Sequence, residues 1–353
     1  MTNLQQVLTD TFAAHPALEV KDLCKIIFQH TFGCGHLVSD FSRCKEAVST
    51  ELFAVTECDV PLFTPIGNGY CRMQLSAAKG QRIPAELIAR MFFHSAKVQG
   101  GSKTDFLRNI SEAKALCADE LLPFSPNEID AFITAWEAKD CPLFSHSAAY
   151  REAYAPAYRV VLQQYADTWS LILAIMQKSK DFAVTIGIDG RCGAGKSTLG
   201  VLLRNLFDGT LIHMDDFFLP LELRTPERLS EPGGNIHYER FCAEVATGIM
   251  SGEAFSYGKF DCGTMKIAEA VQVQKDRQVT IIEGSYALHP RFAAMYTITA
   301  FCDVDTGLQR ARIIKRNGQA AFSAFETRWI PMEERYFETF TVKENCQFVV
   351  SML

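Results

Sequence analysis

The sequence predicts an α/β fold in its second half, a parallel sheet flanked by helices, preceded by a mainly α-helical domain. Three observations predict it. Beyond about Asp181, short apolar and β-branched runs alternate with helix-length segments. Between the first of those runs and a helical pattern stands a glycine-rich loop, Gly190-Arg191-Cys192-Gly193-Ala194-Gly195-Lys196-Ser197. Before Asp140, apolar residues recur instead at helical spacing.

In the first half, residues 4–12, 20–32 and 85–96 read as helices. A further helix opens at Ser125-Pro126-Asn127-Glu128, where Ser125 caps, Pro126 takes the first turn and Glu128 completes a capping box. Residues 1–145 are therefore assigned to the mainly helical domain. The turn-rich stretch Cys141-Pro142-Leu143-Phe144-Ser145 leads into a segment that reads as helical over 147–178, kinked at Pro156. Residues 146–180 are expected to connect the halves, and 181–353 to form the second domain. Its strands are expected at 183–188, 210–214, 279–282, 297–301 and 347–350, with ligands at their C-terminal ends.

A chain of 353 residues exceeds a usual single core, and 48% hydrophobic with 22% charged residues is ordinary for a globular protein. Lys and Arg number 35 against 41 Asp and Glu, a net charge of −6 with no basic run, so a small molecule is the expected partner rather than nucleic acid or membrane. The start Met1-Thr2-Asn3-Leu4 has no basic or apolar leader pattern, and the longest apolar runs are too short to span a bilayer, so a cytoplasmic location is expected. Twelve scattered cysteines without a C-x-x-C pair read as reduced, buried small hydrophobes. At Cys192 the surrounding loop N–H groups and helix end favour a lowered thiol pKa; the plainer reading is a spacer that happens to be cysteine.

The glycine-rich loop matches G-x-x-x-x-G-K-[ST], and its order of strand, loop and helix is the one that pattern needs. Glycines let the backbone N–H groups of Gly190, Arg191, Cys192, Gly193, Ala194, Gly195, Lys196, Ser197 and Thr198 face a polyphosphate at a helix N-terminus. Lys196 adds a mobile point charge, and the Ser197 hydroxyl is placed to ligate Mg²⁺. The loop implies a bound nucleoside triphosphate. Two acids complete the constellation: Asp215, in His213-Met214-Asp215-Asp216-Phe217-Phe218 after the second strand, and Glu283, which ends the strand at 279–282. Phosphoryl transfer needs charge neutralisation, in-line positioning and an acceptor for the incoming hydroxyl's proton, and these acids suit it; Asp216 is the neighbour that could stand in for Asp215.

The run from Gly187 through Thr198, then Asp215-Asp216-Phe217-Phe218, Ile282-Glu283-Gly284, Asp305-Thr306 with Arg310, Arg312 and Arg316, and Pro331-Met332-Glu333-Glu334, resembles the uridine kinase and phosphoribulokinase-like family of P-loop kinases over nearly the whole second half. The resemblance implies transfer of the γ-phosphoryl of ATP to a hydroxyl, with Asp215 as general base and Glu283 helping to hold Mg²⁺. It also implies a mobile lid bearing Arg312 and Arg316, with Arg310 a weaker candidate. Nucleoside kinases of this group touch the ribose through an Asn-Phe-Asp-His-like stretch and the base through an aromatic-plus-Asp segment. Arg224, His237, Tyr257 and Asp261 are the corresponding acceptor candidates. The chain departs from the pattern: His237 stands near where Asp is expected, and no His follows Asp261. His237 reads equally as a ligand contact or a surface loop residue.

In the first half, His30, Cys34, His36 and Asp40 admit a metal reading, although their spacing matches no zinc pattern. Turn glycines around His36 and Asn68, with Arg72 nearby, admit a metabolite-handling surface or plain turns. His146, Tyr150, Arg151, Tyr154, Tyr158 and Arg159 form a polar-aromatic stripe if the segment is one helix. The expectation for the whole is an ATP- and Mg²⁺-dependent kinase for a small hydroxyl metabolite, a nucleoside such as uridine. The alternatives are a pantothenate-like or sugar-phosphate acceptor, or a regulatory ATP-binding switch.

Overall fold

The computed structural model describes residues 3–34, 38–98, 100–261, 263–274 and 277–352. It divides into two compact units, Met1–Ala166 and Asp167–Leu353.

The first unit is mainly helical. Its helices Asn3–Ala14, Val20–Phe32, Lys103–Ala118 and Pro126–Glu137 bury Leu8, Ile26, Ile27, Phe106, Ala113 and Ile129 in a common core. The Ser125 cap forms as its chemistry requires: the Glu128 N–H donates to Ser125 Oγ at 3.2 Å, and the Ser125 N–H donates back to Glu128 Oε2 at 2.7 Å. The connecting segment departs from expectation. The helix Ala148–Tyr154 stops at Ala155, whose left-handed φ of 41° ends it, and Pro156 prevents its resumption. The β-branched run that follows is a strand. It joins a three-stranded antiparallel sheet of β1 (Phe63–Gly67), β2 (Tyr70–Gln74) and β3 (Tyr158–Leu162), with β2 in the middle. Residues 146–180 are thus not one helical connector: the short helix and β3 belong to the first unit, and Trp169–Lys178 is a helix of the second.

The second unit is a five-stranded parallel sheet flanked by helices. Its strands β4 (Val184–Gly190), β5 (Thr210–His213), β8 (Val279–Glu283), β9 (Ile298–Cys302) and β10 (Phe348–Val350) lie in the order β10-β9-β4-β8-β5. Each matches a strand expected from the sequence, because a strand covered on both faces reads as a continuous apolar run. β6 (Phe255–Asp261) and β7 (Lys266–Val273) form a separate antiparallel hairpin. β4 is central, and the loop that follows it therefore opens at the middle of the sheet's C-terminal edge.

Candidate active site

β4 is buried throughout, and the chain leaves it through Gly190, whose φ of 135° is nearly closed to other residues. A Cβ there would lie 2.1 Å from the Cys302 carbonyl oxygen on β9. Gly190→Ala should destabilise the protein by at least about 2 kcal/mol through backbone strain and this clash. Its melting curve checks this, and an unchanged midpoint would contradict it. Gly193 and Gly195 also have positive φ, 76° and 96°, and the helix Lys196–Phe207 starts directly after them.

Lys196 is buried, and its Nζ donates to the carbonyls of Gly190 (2.6 Å) and Arg191 (3.2 Å), curling back over the loop. Burial opposes its charge, but the carboxylates of Glu333 and Asp189 outweigh burial and raise its pKa. The Ser197 hydroxyl donates to Glu283 Oε2 at 3.0 Å. Glu283 ends β8 and lies opposite His213, the last residue of β5, whose Nδ1 bonds Glu283 Oε1. That hydrogen bond raises the His213 pKa.

Asp215 follows β5 in a short 3-10 turn, Met214–Phe217. It is exposed, and the protein atoms packed around its carboxyl still desolvate it in part. That desolvation, followed by the charge of Glu283, raises its pKa, with Lys196 and His213 pulling the other way. Asp216 is buried instead, accepts from the Tyr257 hydroxyl at 3.4 Å, and its backbone carbonyl accepts from Arg240. The two neighbours are therefore in different settings, one open and one enclosed.

The arginines separate as well. All three lie on the helix Thr306–Asn317. Arg312 Nη1 reaches the Gly193 carbonyl at 3.3 Å and its Nη2 reaches that of Met352 at 2.7 Å, so it touches the loop. Arg310 pairs with Glu326 at 3.0 Å, and Arg316 bonds Asn317 at 2.8 Å. The acceptor candidates are engaged in building backbone. Arg224 Nε donates to the Leu219 carbonyl at 2.7 Å, and His237 Nδ1 caps the helix Tyr238–Phe241 through the Arg240 N–H at 3.4 Å. Asp261 closes the β6–β7 turn by accepting from the Gly263 N–H at 2.8 Å and the Thr264 hydroxyl at 2.9 Å. Of the four, Tyr257 alone bonds an acid of the segment after β5.

Beyond Glu283, further carboxylates surround the loop to which the sequence pattern assigns no role. Asp189 is fully buried and accepts from the N–H groups of Gly190 (2.8 Å), Tyr286 (3.2 Å) and Leu288 (3.0 Å) and from the Tyr336 hydroxyl (3.0 Å). Desolvation still pushes its pKa up to about 6. Glu333 accepts from the Cys192 N–H at 2.9 Å and from the Ser285 hydroxyl at 2.6 Å. Arg191 is held by Glu334 at 2.8 and 3.0 Å and by Asp303. The Pro331-Met332-Glu333-Glu334 motif was the available signal. At Cys192 burial, then the Glu333 carboxylate, pushes the thiol pKa up to about 12, which fits the plainer reading of a spacer and not an activated thiol.

Strand, glycine loop, helix and acids at one sheet edge define the second unit as a P-loop α/β domain. No family model matches the chain. Among solved structures it is similar to a candidate fructose transport system kinase from Silicibacter sp. TM1040, at 20% identity over 51% of this chain and 97% of that one, with a TM-score of 0.43. It is also similar to a candidate uridine kinase from Bacillus stearothermophilus, at 17% identity over 52% of this chain and 100% of that one, with a TM-score of 0.39. No described helix is long and apolar enough to cross a membrane.

Proposed function

We propose that the second unit is an ATP- and Mg²⁺-dependent kinase that phosphorylates a hydroxyl of a small metabolite, a nucleoside such as uridine. The observation that carries this reading is the gathering of Lys196, Ser197, Glu283 and Asp215 at the C-terminal edge of the sheet.

The donor set fits the groups proposed. Ser197 and Glu283 offer oxygen ligands, as a hard cation such as Mg²⁺ requires, and they are already within hydrogen-bond distance of each other. Bound there, the cation would neutralise developing phosphate charge. The N–H groups of Gly190, Arg191, Cys192 and Ala194 are engaged by Asp189, the Cys302 carbonyl, Glu333 and the Arg191 carbonyl, which narrows the expected phosphate cradle to the remaining loop N–H groups; these hold the phosphates in line, and Lys196 turns its ammonium from the loop carbonyls to phosphate oxygens. In its ionised form Asp215 accepts the acceptor hydroxyl's proton as the hydroxyl oxygen bonds the γ-phosphorus and ADP departs. Arg312, held against the Gly193 carbonyl, adds positive charge at the loop.

Arg312→Ala is expected to lower kcat by about ten- to a thousand-fold, more than it weakens ATP binding. Arg316→Ala, whose guanidinium bonds Asn317, should change kcat less than threefold. Steady-state kinetics with separately measured ATP affinity distinguish the two, and equal losses in both variants would restore the wider arginine lid.

One set of contacts favours a non-nucleoside acceptor, pantothenate-like or a sugar phosphate: Asp261 is tied into the hairpin turn and His237 into a helix cap. ADP formation with uridine, cytidine, pantothenate and sugar phosphates in turn decides between them. ATP binding without acceptor-stimulated ADP release from any of these would favour a regulatory switch.

A further inference from the structure

The first unit contains a cluster that the phosphoryl-transfer reading does not use. His36 lies outside the described residues, and the other turn candidates are structural: Asn68 donates to the His30 carbonyl at 2.9 Å, His30 Nδ1 bonds the Ile66 carbonyl at 2.8 Å, and Asp40 caps the helix Phe41–Ala54. His146 and Tyr158 do meet, though across a turn and a strand rather than along one helix.

The helix Val20–Phe32 presents Asp22, Lys25 and Gln29 at spacings of three and four residues, on one face. Asp22 is fully buried and accepts from His146 Nδ1 at 2.7 Å and from the Ser147 N–H at 3.0 Å. Burial opposes its charge, yet these bonds and the Glu19 N–H hold its pKa at about 2. Since ionised Asp22 can only accept, His146 carries its proton on Nδ1. Its Nε2 then accepts from the Tyr158 hydroxyl at 2.7 Å, and burial disfavours a second proton. The Tyr158 oxygen also accepts from Gln29 Nε2 at 3.2 Å. Gln29 Oε1 in turn takes Arg72 Nε and Nη2 at 3.1 and 2.7 Å, and the Arg72 guanidinium lies 4.6 Å from the Tyr158 ring centroid.

Lys25, Gln29, His146 and Tyr158 line a cavity of about 610 Å³. The acids on its wall are occupied: Glu51 pairs with Arg159 at 2.6 Å and Asp40 with Arg43 at 3.7 Å. Lys25 Nζ donates to the Phe144 carbonyl at 2.7 Å. Among the described residues, neither Lys25, which lines this cavity, nor the buried Arg72, which lines a second cavity that shares Tyr158, has a carboxylate within ion-pair distance, so the cluster holds two cations against the single carboxylate of Asp22 and a neutral His146. Cations withdrawn from water need a counter-charge.

We infer that this cavity is a second ligand site, for a small metabolite carrying a carboxylate or phosphate oxyanion, with Lys25 as its counter-ion and the His146-held Tyr158 as part of its polar wall. The site stands independently of the kinase reading. Burial, then the charge of Arg72, lowers the Lys25 pKa to about 8, so a neutral, reactive fraction of the amine is available at mildly alkaline pH.

The test uses the full chain and pyridoxal 5′-phosphate, an aldehyde that carries a phosphate. The Lys25 amine and the aldehyde carbon form an imine with loss of water, and borohydride adds hydride to give a stable secondary amine that peptide mass spectrometry locates. Lys25 should be labelled at least about fivefold faster at pH 8 than the exposed Lys139 and Lys180, with saturation, and inorganic phosphate should protect it. A parallel arm with acetate separates the sources: protection by both anions assigns a general oxyanion site, and protection by phosphate alone assigns a phosphate ester. Labelling no faster than at the exposed lysines, or unsaturable and indifferent to both anions, would overturn the proposal.

Discussion

Asp215→Asn is expected to lower kcat by about 10² to 10⁴ while ATP affinity changes less than threefold, because a positioned base is worth that much in rate and its amide cannot accept the proton. The variant nearly preserves volume, so the short turn after β5 should survive. A second signature follows from the environment of the carboxyl. Desolvation and the nearby Glu283 raise its pKa, so the acid limb of the rate profile should lie above the ordinary Asp value of 3.8, falling as pH drops and the base is protonated. That limb should vanish in Asp215→Asn. If Asp216→Asn proves the crippled variant and Asp215→Asn keeps nearly normal turnover, the roles are displaced by one residue, despite the enclosure of Asp216 against Tyr257.

Lys196→Ala is expected to abolish acceptor-dependent ADP formation, a loss of at least about 10³ consistent with removing the charge that meets the transferring phosphoryl. Its stability should move differently. Lys196 is buried beside Glu333 and Asp189, so its removal leaves those carboxylates less compensated and should lower the melting temperature measurably. Kinetics must therefore be read on protein shown by circular dichroism to be folded at the assay temperature. Undiminished ADP formation by such protein would refute the kinase assignment.

The difference between what was readable in the sequence and what was not has a physical cause in each case. The five strands of the parallel sheet are short apolar runs, and the loop's glycines are required at fixed offsets, so both are local signals. β7 escaped because it is exposed along nearly its whole length, Lys266-Ile267-Ala268-Glu269-Ala270, and lacks a buried alternating face. β3 escaped because Tyr158 and Arg159 follow the preceding tyrosines at a spacing that also suits a helix, and what makes it a strand is its distant partner β2. At the site, Lys196, Ser197, Asp215 and Glu283 each end or follow a strand. Glu333 reaches the loop from a helix 141 residues downstream of Cys192; its motif marks the residue, but no local pattern names its partner. His146 and Tyr158 share a stripe only if their segment is one helix, and the turn at Ala155 joins them by another geometry.

The pairing of β2 with β3 bears on how the chain is made. About eighty residues separate Gln74 from Tyr158, so the middle strand of that sheet leaves the ribosome well before its second neighbour exists. At ordinary elongation speeds the wait is roughly 5 to 20 seconds, during which only the β1 hairpin partner can cover it. The first unit can therefore acquire its native sheet only when synthesis has passed Leu162, close to the end of the unit at Ala166. Nascent chains arrested before that point would display an unpaired β2 edge, a surface that chaperones bind and that proteases can reach.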